Sequence, residues 1–206
     1  MSAPDLAQIG PGFSDASLGS QAVFRAALQA LSHPGRPFTV TCDAHIPDSA
    51  HRAAGAVLLA MLDADCTVWL SPRHASGNAA WLRFHTGCTV VASPHEAGFV
   101  WVAQGDAMPR LDALAQGSDA YPDQSATCVL ETAGLDTQDG PDAWVLSGPG
   151  IQSTTRLRAH GLAADFAAQW SANHGRFPRG VDVLLTSAEC LVGLPRTTRI
   201  STAEGR

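Results

Sequence analysis

Six short runs rich in β-branched, aromatic and aliphatic residues most constrain this chain. They are "CTVWL" (Cys66 to Leu70), "TVVAS" (Thr89 to Ser93), "GFVWVAQ" (Gly98 to Gln104), "SATCVLE" (Ser125 to Glu131), "AWVLSG" (Ala143 to Gly148) and "VDVLLTS" (Val181 to Ser187). Each predicts a strand, and the wholly apolar "CTVWL" predicts a buried one. A further short strand is predicted at Phe38 to Cys42. Helical patterns fall between these runs. Within "DASLGSQAVFRAALQALS", Phe24, Ala27, Leu28 and Leu31 recur at helical spacing, and His33-Pro34-Gly35 ends the pattern. A second helix is predicted from Pro47-Asp48-Ser49, capped by Asp48 or Ser49, with Ala53, Ala54, Val57, Leu58 and Met61 on its apolar face. "GNAAWLRFHTG", "PRLDALAQG" and "LAADFAAQWSANHG" predict three more helices, and Thr132 to Asp142 a polar connection. This irregular alternation predicts an α/β domain: a mixed β-sheet flanked by helices. A flexible arm is expected over residues 1–16, and a single α/β domain over 17–206.

At 206 residues the chain can bury a core without disulfides or metals. Its net charge of −6 and lack of any basic block argue against nucleic-acid binding. Five cysteines, widely spaced and without a CxxC, predict free thiols in a reducing compartment. No apolar run approaches the roughly 20 residues that cross a bilayer, so no membrane association is expected. The first basic residue is Arg25, which leaves a secretory signal without its charged start. The expected location is the cytoplasm.

All 13 basic residues are arginines. Without lysine, no Walker A loop is possible and no internal aldimine can hold pyridoxal phosphate. No G-x-S-x-G nucleophile elbow occurs, and the eight histidines show no H-E-x-x-H or paired helical spacing, so no metal site is expected. "SPRHASG" (Ser71 to Gly77) and "SPHEAG" (Ser93 to Gly98) read as loops after strands. His95-Glu96 offers an acid/base pair on weak spacing alone. A solitary enzyme using a residue such as Cys66 or His95 stays open as an alternative.

The stretch "WVLSGPGIQSTTRL" (Trp144 to Leu157) has the look of a phosphate cradle. Pro149, however, removes a backbone N–H at its centre, and the following "TTRLR" alternates like a strand. The residues therefore predict the turn of a β-hairpin, with Ser147, Gly148 and Gly150 at its polar ends. The C-terminal "LPRTTRIST" (Leu194 to Thr202) reads as a strand. Arg196 and Thr198 face one way and Thr197 and Arg199 the other. It either presents a guanidinium to an anion or is an edge strand made soluble by charge.

Seven segments in order carry a resemblance: "FRAALQALSHPGRP" (Phe24 to Pro37), "LLAMLDADCTVWL" (Leu58 to Leu70), "WLRFHTG" (Trp81 to Gly87), "YPDQSATCVLE" (Tyr121 to Glu131), "LSGPGI" (Leu146 to Ile151), "FPRGVDVLL" (Phe177 to Leu185) and "LPRTTRI" (Leu194 to Ile200). Together they resemble the PhnH family, the H subunit of the bacterial carbon–phosphorus lyase system. The resemblance implies a fold similar to the large domain of type I pyridoxal-phosphate transferases without the cofactor site. It implies a homodimer that joins the G, I and J subunits. It also implies a role, with the G, I and L subunits, in displacing adenine from ATP by a phosphonate to give a ribose 1-phosphonate 5-triphosphate. ATP and phosphonate are then substrates of the complex, and no cofactor is expected on this subunit. No catalytic residue is assigned. Ser147, Gly148, Gly150, Arg196, Thr197 and Thr198 are the candidate ligand- or partner-binding residues.

Overall fold

The computed structural model describes residues 9–202. Its helices are α1 (Ala16–Ser32), α2 (Arg52–Met61), α3 (Pro72–Gly77), α4 (Ala79–Thr86) and α5 (Phe166–His174). Its strands are β1 (Phe38–Thr39), β2 (Thr67–Leu70), β3 (Thr89–Val90), β4 (Phe99–Val102), β5 (Thr127–Glu131), β6 (Gly134–Asp136), β7 (Trp144–Ser147), β8 (Thr155–His160), β9 (Asp182–Ser187), β10 (Cys190–Leu194) and β11 (Arg199–Thr202). Seven strands form one sheet in the order β1-β10-β9-β5-β4-β2-β3. Strands β3, β2, β4, β5 and β9 pair in parallel, and β10 runs antiparallel to both β9 and β1. The mixed sheet expected from the sequence is present.

Side chains along the central strands alternate between two cores. Trp101, Val129, Leu184 and Leu191 pack with Val23, Ala27 and Ala30 of α1 and with Ala53, Ala54, Val57 and Leu58 of α2. Cys128, Leu130, Val183 and Leu185 pack with Leu146, Leu157, Phe166 and Trp170. Helices thus cover one face. The other face carries a second, four-stranded antiparallel sheet, β11-β7-β8-β6, together with α5. The expectation of a sheet flanked by helices is corrected there. The strands from 134 to 160 are amphipathic, and Leu146 and Leu157 are fully buried against the larger sheet.

Several local expectations change for physical reasons. Helix α1 begins at Asp15, whose carboxylate accepts from the Ser17 and Leu18 amides. Its buried face is Val23, Ala27 and Ala30, whereas Phe24 and Leu28 turn outward. Small side chains are needed on the inner face because α1 lies almost on β10. A Cβ at Gly193 would sit 2.5 Å from the Ala30 carbonyl carbon. Helix α2 starts at Arg52 rather than at 47–49, which form a turn closed by the Ala50 amide on the Pro47 carbonyl. Neither Asp48 nor Ser49 caps it. The Ala53 amide is instead taken by the Ala188 carbonyl in the β9–β10 turn.

"SPRHASG" is helix α3, with Pro72 in its first turn, not a loop. Thr132 to Asp142 contains strand β6. Residues 38–42 and 89–93 contribute only two strand residues each, and "PRLDALAQG" only the single 3₁₀ turn Leu111–Ala113. Strand β10, "CLVGL", was not among the expected strands. "LPRTTRIST" is not one strand: Leu194 ends β10, Pro195 to Thr198 turn, and Arg199–Thr202 form the edge strand β11. Residues 1–8 of the expected arm lie outside the described residues. Ile9 is buried, and the Pro11 carbonyl accepts from the His45 amide. Among the described residues no helix is long and apolar enough to cross a membrane.

The α1–β10 contact yields a direct test. Gly193→Ala forces a methyl into helix backbone and is expected to cost about 1–3 kcal/mol, read as a lower thermal midpoint with the far-ultraviolet spectrum retained.

Candidate functional site

The chain leaves β2 outward to β3, then returns past β2 to lay β4 on its other side. The connections therefore diverge between β2 and β4, which makes their carboxyl ends the place where open α/β sheets form crevices. There the segment ahead of α2, helix α3 after β2, and strand β4 with the residues after it converge on one carboxylate, Glu131, the last residue of β5 and only 5% exposed. Its Oε1 accepts from the His51 amide at 3.0 Å and from Trp101 Nε1 at 3.1 Å. Its Oε2 is 3.4 Å from the Gln104 amide. His74, from α3 and fully buried, places Nε2 3.2 Å from Oε1 and stacks on Trp101 with ring centroids 3.8 Å apart.

That imidazole is close enough to Glu131 for electrostatic support. It is aligned too poorly for a directed hydrogen bond, so Nε2 is a buried polar atom without one. Its orientation comes from behind. Ser49 Oγ donates to Asn78 Oδ1 at 2.8 Å, which turns the Asn78 amide nitrogen toward His74 Nδ1 at 2.7 Å. His51 adds a second imidazole, with Nδ1 3.3 Å from the Thr186 carbonyl and Nε2 3.2 Å from Gln104 Oε1. Burial alone would push the Glu131 carboxyl up. The His74 ring and the His51 amide outweigh it and hold the group below its ordinary value.

In front of Glu131 lies a cavity of about 190 Å³. Leu130 and Glu131 form its floor, Ala103 to Met108 one wall, and Gly161 to Ala163 the other. The second wall is the loop that follows β8 of the smaller sheet. Asp106 also lines it. This carboxylate accepts from the Arg73 amide at 2.9 Å. Burial raises its pKa, but the Arg73 amide, Ser71 and the Arg73 charge prevail, leaving it lowered.

The residues singled out in the sequence lie elsewhere, and two of the groups meet. Ser147 ends β7 and pairs with Arg199 of β11. Gly148, at φ 136°, leaves a Cβ position only 2.8 Å from the Thr197 carbonyl. The "SGPGI" loop thus abuts the Arg196–Thr198 turn. Strands β7 and β8 are the antiparallel pair expected on either side of that loop, although the connection runs from 148 to 154. Gly150, at φ 82°, packs on the Ser32 carbonyl and Pro34, beside a groove of about 270 Å³ that also takes in His33 and Arg36.

Arg196 is fully engaged within the chain. Its amide and Nε contact Asp182 Oδ1 at 2.7 and 3.1 Å, and its Nη1 donates to the Pro122 carbonyl at 2.9 Å. Its Nη2 donates to Ser125 Oγ and Asp182 Oδ2. Thr197 and Arg196 border a shallow apolar shelf of about 330 Å³ with Pro122, Phe177 and Pro178. Thr198 is fully buried, and its carbonyl accepts from Trp170 Nε1 at 2.8 Å.

Cys66 shows no sign of activation: burial pushes its thiol up, and the Asp63 side chain adds to the effect. Cys128, wholly buried between the sheets, is pushed up to about 12 by burial, with the Asp182 charge adding to it. His95 sits in a 3₁₀ turn, away from Glu131's partners. Among the described residues no group of three or more His, Cys, Asp or Glu could hold a metal. Glu131, His74 and Asp106 were not singled out from the sequence. The one available signal was an acidic residue closing an otherwise apolar strand, "TCVLE".

Residues 11–201 match the family described as "Bacterial phosphonate metabolism protein (PhnH)". The chain is 36% identical over 189 residues to "Alpha-D-ribose 1-methylphosphonate 5-triphosphate synthase subunit PhnH" of Rhizobium meliloti (strain 1021). That alignment covers 91% of this chain and 93% of the relative. It is 34% identical over 185 residues to "Putative C-P lyase subunit protein HtxG" of Stutzerimonas stutzeri, covering 88% of this chain and 85% of that one.

Two outcomes follow from the geometry. Because folding lowers the Glu131 pKa, its stabilisation is present above the ordinary value of 4.5 and is lost as pH falls through the lower folded value. Glu131→Gln is therefore expected to be less stable than the parent at pH 7, with the difference narrowing in urea titrations below about pH 4. Arg196→Ala leaves Asp182 without its partner and is expected to cost about 2–3 kcal/mol in the same titrations.

Proposed function

The chain belongs to the PhnH family of bacterial phosphonate metabolism proteins, and from that premise we propose how it works. It is a subunit of α-D-ribose 1-methylphosphonate 5-triphosphate synthase, required with the G, I and L subunits. The reaction transfers the ribose 5-triphosphate moiety of ATP to methylphosphonate and releases adenine. The observation that carries this reading is the match to the Rhizobium meliloti synthase subunit over nearly the full length of both chains.

The chemistry on the page suits a subunit better than a solitary enzyme. Substitution at an anomeric carbon needs stabilisation of a developing cation, a proton for the leaving base and a clamp for a polyanion. The Glu131 cavity is lined by two carboxylates, and its nearest cation, Arg73, is already paired with one of them, so it offers no free clamp for a triphosphate. Partner subunits then complete the reaction centre, and no cofactor is bound on this one. Residues 17–206 act as one domain. The mixed seven-stranded sheet supports a likeness to the large domain of type I pyridoxal-phosphate transferases, and the lack of lysine fits a chain without that cofactor's anchor.

The subunit forms a homodimer and joins the G, I and J subunits in the cytoplasm. The exposed apolar pair Phe24 and Leu28, one turn apart on the outer side of α1, supports such contacts. The Ser147–Gly150 loop and the Arg196–Thr198 turn, which abut, form a further ligand- or partner-facing surface. Here Arg196 serves as the internal brace and Thr197 as the outward residue.

An assay that omits one subunit at a time tests the proposal. The purified chain alone is expected to release no adenine from ATP with methylphosphonate, and to restore release when added to a mixture lacking only it. Turnover by the isolated chain, or full activity without it, would reject the reading.

A further inference from the structure

We propose that the cavity in front of Glu131 binds an amino-bearing nitrogen heterocycle, whose N–H groups are received by Glu131 and Asp106. Its lining decides the class of ligand. Val102, Met108, Leu130 and Leu162 supply apolar surface, and the only charged residues are the two carboxylates. A phosphate or phosphonate would enter against two carboxylates, and the nearest cation, the Arg73 guanidinium 3.7 Å from Asp106, is already paired with one of them. A free alkylammonium would lose its hydration against the apolar walls. A flat heterocycle lays its faces on those walls and turns uncharged or delocalised N–H donors toward oxygen. At about 190 Å³ the space suits one small ring system; pockets for larger ligands run to about 300–1,000 Å³.

Asp106, with its side chain 14% exposed, is the outer acceptor, and Glu131, with its side chain only 2% exposed, the inner one. Glu131 Oε1 is occupied by the His51 amide and Trp101 Nε1, whereas Oε2 has only the long 3.4 Å contact from the Gln104 amide. Asp106 Oδ2 takes the Arg73 amide, while Oδ1 lies 3.7 Å from Arg73 Nη2 and keeps acceptor capacity. His74 holds the arrangement from behind. Its buried Nε2, with no directed hydrogen bond, keeps positive polarity on the far side of Glu131, so the carboxylate stays an acceptor when the cavity closes around a ring. The cavity also lies beside the switch point of the sheet, where the fold leaves an opening between successive crossovers.

This inference rests on the subunit reading for its probe, adenine, the base the synthase releases. Calorimetric titration of the full-length chain at pH 7 would compare adenine, hypoxanthine and inorganic triphosphate. Adenine is expected to bind saturably. Hypoxanthine, with a carbonyl in place of the amine, is expected to bind about tenfold more weakly or worse, and triphosphate not at all. Ala163→Trp closes the exposed rim without touching the buried cluster and is expected to abolish adenine binding. Asp106→Asn is expected to weaken it about tenfold. Triphosphate binding more tightly than adenine, or adenine binding indifferent to both variants, would overturn the proposal. A chain that binds no adenine yet restores turnover in the omission assay sinks this inference and leaves the subunit reading standing. One that binds adenine but restores nothing does the reverse.

Discussion

A carboxylate buried at the end of the central strand governs the architecture around it. Glu131 cannot stay ionised in an apolar interior unless donors surround it. The chain meets that demand with four groups from three separate segments: the His51 amide ahead of α2, the His74 ring in α3, and Trp101 and the Gln104 amide in and just after β4. Each of those segments must therefore arrive at the same point. The start of α2, the placement of α3 directly after β2 and the path of the chain after β4 are all tied to this one group. The cavity is the space left in front once the rear of the carboxylate has been satisfied.

The strands were legible because burial on two faces leaves a plain mark. "TVWL", "FVWV", "TCVLE" and "VLLT" are almost continuously apolar because their neighbours pack into one core or the other. Strand β10 carries the same character but is broken by Gly193, whose missing side chain reflects the closeness of α1 rather than a turn. The same contact sets which face of α1 turns inward. Hydrophobicity favours the larger residues, while the space available admits only Val23, Ala27 and Ala30. Helix α3 was hidden by a Ser-Pro start and a Gly end that also suit a loop.

The cluster around Glu131 was far less visible. Its members are separated by as much as 135 residues, as in the contact of His51 with the Thr186 carbonyl, and none falls in a spaced motif. Only topology brings them together. The C-terminal "LPRTTRI", by contrast, looked like an anion reader from residue types alone. The structure shows Arg196 spending its donors on Asp182, Ser125 and backbone carbonyls. An arginine beside hydroxyls does not reveal whether its partner is a ligand or the protein itself.

That turn has a mechanical meaning. Between Leu194 and Arg199 the polypeptide steps from the seven-stranded sheet to the four-stranded one in four residues, clamped by the Arg196 guanidinium and by Trp170 on the Thr198 carbonyl. A hinge placed there has no slack. Sliding one layer over the other at that corner would have to break both the Arg196–Asp182 pair and the Trp170 hydrogen bond, so the two sheets are coupled there.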